Sequence, residues 1–158
     1  MEGGYCGGVA SLHFRAGVVI VVRSRDHLQV LAFERVDARG SWQLPQGGLH
    51  VGEEPIAGAW RELTEETGLG PEQVEARAEF PEWLAYEWPD DVRRAKGGDK
   101  QRIGQAQRWF LFDVIADETQ PTPDGSEFVA WKWVTPRWLI GHVPEWRRGP
   151  YERVLGTL

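Results

Sequence analysis

The stretch from Gly47 to Leu69, GGLHVGEEPIAGAWRELTEETGL, constrains this chain more than any other 23 residues in it. A glycine-rich turn carrying Glu53 leads into a helix, which sets Glu62, Glu65 and Glu66 beside Arg61. Glu53 and Glu54 put negative charge where a helix dipole favours it. Pro55 fits the first helical position and Gly68 fits the stop. Ile56, Ala59, Trp60, Leu63 and Thr67 recur at three-to-four spacing and predict the core-facing side. With Leu63 at zero, Glu66, Glu62 and Glu65 fall at roughly −60°, −100° and −160° around the helix. They form an acidic stripe beside the apolar one. Like charges so spaced repel, and a divalent cation held by oxygen ligands would offset that repulsion. Such a cluster suits chemistry on phosphates. The competing reading is an ordinary solvated face.

These residues resemble the signature of the Nudix hydrolases, G-x5-E-x7-R-E-U-x-E-E-x-G-U, with U an aliphatic residue. Gly47, Glu53, Arg61, Glu62, Leu63, Glu65, Glu66, Gly68 and Leu69 supply the pattern without a departure. Four flanking segments are similar to the branch containing bacterial RNA pyrophosphohydrolases and dinucleoside polyphosphate hydrolases. They are SWQLPQGG at Ser41–Gly48, WLAYEWP at Trp83–Pro89, GQAQRWFL at Gly104–Leu111 and EFVAWKWV at Glu127–Val134. Trp88 stands where that branch has leucine. The resemblance spans roughly residues 14 to 155.

The resemblance implies an α/β (α+β) fold, a mixed β-sheet sandwiched between helices. It implies a hydrolase of phosphoric anhydride bonds. Glu62, Glu65, Glu66, the Gly47 carbonyl and Glu127 would bind metal, with Glu65 or a metal-bound hydroxide activating water. Arg61 and Glu53 would hold the glutamates in place. The implied cofactor is Mg²⁺, with Mn²⁺ able to substitute. Arg15 matches an arginine that contacts substrate phosphates, and Arg35 and Arg147 are candidates for the same role. Tyr86 would lie near the nucleotide, and Trp146 would stack on a base, worth roughly 1–3 kcal/mol. Each of these five is alternatively a surface arginine or a packing aromatic. The substrate is either a 5′-triphosphorylated RNA end, releasing pyrophosphate, or a dinucleoside polyphosphate such as diadenosine tetraphosphate. Two other readings are a Nudix domain that senses a nucleotide or binds RNA without turnover, and a nucleotide-sugar pyrophosphatase.

Length and composition predict a single domain over residues 1–158. No apolar run approaches a membrane span, and no signal peptide precedes the first strand. Cys6 is the only cysteine, so an intramolecular disulfide is excluded. These features fit the cytoplasm. His13, His27, His50 and His142 lack ligand spacing. A net charge of −6 argues against broad nucleic-acid binding but leaves room for one phosphorylated RNA end. No obligate protein partner is readable.

Along the chain, Gly17 to Val22 predicts a buried strand, with Leu28 to Phe33 as its hairpin partner. Glu72 to Phe80, Trp109 to Ile115 and Phe128 to Val134 lead into or form further strands. Pro136 starts a short helix over Arg137 to Ile140, and Pro150 to Leu155 begins a terminal one. Asp90 to Gly104 reads as a loop rich in Arg93, Arg94, Lys96, Lys100 and Arg102. It is either a lid touching substrate phosphates or a solvated loop diluted by Asp90, Asp91 and Asp99. Of the nine tryptophans, Trp42, Trp60, Trp109, Trp131 and Trp133 are expected to pack in the core.

Overall fold

A computed structural model describes residues 11–158, so Cys6 lies outside the described residues. The centre of the molecule is the strand β1 (His13–Arg23), whose run Val18–Val22 is buried on both faces. Alternation along an extended chain sends successive side chains to opposite sides. Val18, Ile20 and Val22 enter one core with Leu31, Phe33, Phe110 and Phe112, and Val19 and Val21 enter a second with Val30, Trp109 and Leu139.

The sheet has eight strands and is mixed. β2 (Val30–Arg35), β3 (Trp42–Gln43) and β4 (Gln46–Gly48) follow β1. β5 (Val74–Glu79), β6 (Leu84–Glu87), β7 (Arg102–Val114) and β8 (Phe128–Val134) come later. Its main path runs β3-β2-β1-β7-β5, with β4 also paired to β1, β6 to β7 and β8 to β2. β1 and β7 are parallel over almost their whole length, from His13↔Arg102 to Arg23↔Asp113. The expected hairpin is reduced to the single pair Arg23↔Val30, and β4 takes the rest of that edge of β1 through Gly17–Val19. Leu28 stays in the turn and is 67% exposed.

Helix α1 (Pro55–Thr67) covers the first core through Ala59 and Leu63. Its limits match the sequence reading, with Gly68 at φ 71° closing it. Its buried face does not: Glu62 and Glu66 are buried, while Ile56 is 39% exposed. The second core is covered by α3 (Pro136–Ile140) and α4 (Arg148–Leu155). Thr135 caps α3 by accepting the Trp138 N–H at 3.2 Å. The fold is therefore the expected sheet between helices. The segment read as a loop is a helix, α2 (Asp90–Lys96), then a turn through Gly97–Gly98, and β7 already starts at Arg102. Its length is too short for apolar periodicity to reveal it. Trp109 is fully in the core; Trp42, Trp60, Trp131 and Trp133 pack partly buried against it.

Candidate active site

α1 and β4 meet where the chain is thinnest. A Cβ on Gly47 would sit 1.9 Å from the Glu62 carboxyl carbon, and one on Gly48 would sit 2.3 Å from Arg15 Nη2. Only glycine lets the backbone come this close to both side chains. The result is a pocket of about 210 Å³ whose wall includes Gly47, Glu62, Glu66 and Glu127. Arg15, Arg35, Lys96 and Arg147 complete it with positive charge.

Arg61 fixes the acidic side. Its Nε and Nη2 donate to the two Glu53 oxygens, each at 2.8 Å. Nη1 donates to Glu62 Oε1 at 2.6 Å and Nη2 to the Gly48 carbonyl at 2.8 Å. A planar fork suits such bidentate contact. The Arg61 fork, with the His50 N–H, holds the Glu53 carboxyl down to about 2. Glu66 accepts the Gln46 N–H at 3.1 Å. Burial, followed by the neighbouring Glu127 and Glu62, pushes the Glu66 carboxyl far above the usual range. Burial likewise raises Glu62, against the pull of Arg61. Like charges brought together out of water disfavour joint ionisation.

Glu65 sits apart from this cluster. Its side chain is 60% exposed at the rim, 3.5 Å from Arg61 Nη1, and its charge reaches Glu62. Arg35 is held by both Asp37 oxygens at 2.7 Å and lies 3.7 Å from Glu127. Arg147 is buried, donates to Gln43 and stacks 4.8 Å over Trp146. Tyr86 and Trp146 pack with ring centres 5.5 Å apart. Tyr86 is buried while Trp146 remains partly exposed, so Trp146 is the more accessible of the two rings.

The donors suit a hard divalent cation, because they are all oxygens. Crowding of Glu62, Glu66 and Glu127 is a second sign of fit, since a cation would relieve it. Among the described residues no three acidic, His or Cys side chains already form a metal cage. The carboxylates surround a space instead of a point. That matches an ion bound by a few carboxylates, water and substrate phosphate. Glu62, Glu66 and Glu127 would hold it, with Glu65 as a solvent-side donor.

Sequence reading did not single out Gln46, Gln105 or Gln43 as site residues and named Lys96 only within the basic segment; Lys96, Gln46 and Gln105 line the pocket. Buried Gln46, Gln107 and Gln105 form a chain. Gln107 Nε2 donates to Gln46 Oε1 at 3.1 Å and to Gln105 Oε1 at 3.3 Å, and Gln105 Nε2 donates to the Tyr86 hydroxyl at 3.0 Å. Alternate glutamines on a strand share one face, a signal in the sequence that could have marked Gln105 and Gln107 as a pair. Burial, then the Arg147, Arg35 and Arg15 charges, lower the Lys96 pKa.

The NUDIX domain family matches residues 13–154. An RNA pyrophosphohydrolase of Cereibacter sphaeroides (strain ATCC 17029 / ATH 2.4.9) is 37% identical over 150 residues, covering 93% of this chain and 91% of the relative. An RNA pyrophosphohydrolase of Xylella fastidiosa (strain 9a5c) is 43% identical over 148 residues, covering 92% and 76%. In fold, the E. coli dihydroneopterin triphosphate pyrophosphohydrolase superposes with a TM-score of 0.73 at 21% identity, covering 94% of this chain and all of that one. The glycine-backed glutamates of α1, and the match over nearly the whole described chain, lead to one conclusion: this chain belongs to the Nudix family.

Proposed function

We propose that the chain is a pyrophosphohydrolase that acts on 5′-triphosphorylated RNA ends, with Mg²⁺ as its preferred cation and Mn²⁺ as a substitute, in the cytoplasm. The observation that carries this reading is the meeting of acids and cations in one pocket. Carboxylates on α1 and before β8 line one small pocket together with Arg15, Arg35, Lys96 and Arg147. The names of the two relatives support the RNA substrate. Trp146, partly exposed next to the pocket-lining Arg147, offers one candidate stacking ring, whereas a dinucleoside polyphosphate brings two bases.

A bound divalent cation supplies charge neutralisation and a more acidic attacking water. Arg15, Lys96 and Arg147 bind phosphate oxygens, and Trp146 orients the terminal base. Arg35 can join them only by loosening its hold on Asp37. A water oxygen adds to phosphorus, the anhydride bond between the α- and β-phosphates breaks, and pyrophosphate leaves. The water's proton passes to a carboxylate of the site. Glu65, 60% exposed at the solvent-side rim, suits this, because Glu62 and Glu66 would be engaged by the cation. Arg61 and Glu53 keep Glu62 aimed.

The deciding experiment compares triphosphorylated RNA with diadenosine tetraphosphate in Mg²⁺, with Glu66→Gln as control. A much higher kcat/KM on RNA is expected. A higher value on the dinucleotide would reassign the substrate. Binding without turnover on either would make the chain a sensor.

A further inference from the structure

Beyond the carboxylate pocket lies a larger groove of about 640 Å³, lined by Arg15, Arg93, Arg94, Lys96, Lys100 and Arg102. Arg15 and Lys96 stand in the walls of both, so one space runs into the other. What sets these cations apart is that so many unpaired ones are gathered in one place, although Lys132, Arg137, Arg147 and Arg148 elsewhere also lack a carboxylate partner among the described residues. Elsewhere Arg23, Arg25, Arg35, Arg61, Arg77 and Arg108 each ion-pair with a carboxylate. None of the six around the groove has a carboxylate partner among the described residues. Asp90 and Asp99 also line it. Asp99, however, is committed to His13 Nε2 at 3.0 Å and to the Gln101 N–H at 2.9 Å. Two more donors of the wall, Trp88 Nε1 and Arg102 Nε, lack an acceptor. The excess is local, for the chain as a whole carries −6.

The groove offers charge without a stacking face. Its one aromatic, Trp88, is 7% exposed and has Lys96 Nζ 4.7 Å over its ring. A second nucleoside would find no ring to lie on, whereas a run of phosphates would find spaced cations. We propose that this groove binds the phosphodiester backbone of single-stranded RNA downstream of the 5′ end. The inference rests on the RNA reading of the pocket. It makes recognition of the strand body independent of base sequence, because the phosphate term carries no sequence information.

The test uses Arg94→Gln/Lys100→Gln, two exposed positions outside the carboxylate pocket. Binding of a 5′-monophosphorylated single strand of about ten nucleotides is followed against salt, beside hydrolysis of a triphosphorylated dinucleotide. The wild type should bind the long strand more tightly than a monophosphorylated dinucleotide. The double variant should lose about tenfold in that affinity near 0.1 M salt, and its log–log salt slope should flatten by about 1.4. Dinucleotide hydrolysis should not change. Equal binding of long and short strands by the wild type would overturn the proposal, as would a variant that binds like wild type. A polyglutamate peptide bound as tightly as the RNA would overturn it too, by showing a general anion surface. Failure of the pocket reading looks different: no hydrolysis of triphosphate ends, with long-strand binding still dependent on Arg94 and Lys100.

Discussion

Glu66 is asked to be two things, a buried side chain of α1 and a charged ligand. Those demands pull stability and activity apart. Glu66→Gln keeps the volume and removes the repulsion from Glu127 and Glu62. Its kcat should fall more than about 100-fold, beyond the loss typical of supporting residues around a metal. The metal-free variant should melt no lower than wild type and up to a few degrees higher, about 2–4 °C for each kcal/mol recovered. Calorimetry beside a phosphate-release assay checks both. Arg61→Lys should cost about 10–100-fold in kcat, since an ammonium cannot span both Glu53 oxygens while also reaching Glu62. The pH dependence separates the acids by sign. Glu62 and Glu66 have raised pKa values, so their contribution to metal-free stability is present below the unfolded carboxylate range. It is lost as pH rises through their folded values. Mg²⁺ binding must displace those protons, so the melting temperature gained on adding Mg²⁺ should be larger at about pH 8 than at about pH 6. An equal gain at both would mean that these carboxylates bind no cation. Glu53 runs the other way: its stabilisation is present above the unfolded range and fades as pH falls toward about 2.

At the level of elements, legibility followed periodicity. The limits of α1 could be read because proline, glycine and a three-to-four apolar rhythm mark them. The burial of Glu62 and Glu66 could not, because hydropathy counts an acid as solvent-facing unless its partners are known. Those partners, the Gly47 backbone and Glu127, come from β4 and the residue just before β8. Strands as short as β3 and β4 carry no pattern of their own. The parallel pairing of β1 with β7 joins segments whose order along the chain suggests nothing. β6 is held by a contact equally invisible in sequence. A Cβ on Gly104 would sit 2.0 Å from the Tyr86 carbonyl oxygen. Gly104→Ala should therefore cost about 2 kcal/mol in urea denaturation and should weaken substrate binding, since β6 carries Tyr86.

For the molecule as a whole, charge is distributed unevenly. An acidic protein concentrates unpaired cations on one side and spends most other arginines in ion pairs. No described helix is long and apolar enough to cross a membrane. Removing divalent cations with a chelator should abolish hydrolysis and lower the melting temperature at about pH 8. A melting temperature that did not respond would argue against a bound cation in the pocket. The parallel pair at the centre has a consequence in time. Val19 lies beside Trp109 and Val22 beside Phe112, so β1 waits for β7 to leave the ribosome before its second edge is satisfied. Long-range parallel pairing of this kind is slow and leaves strands open to wrong partners. The five apolar residues made first at the heart of the sheet are thus among the last to be secured. A nascent chain stalled before Arg102 exposes its most aggregation-prone strand, which makes the interval between those two segments the vulnerable period in the life of this protein.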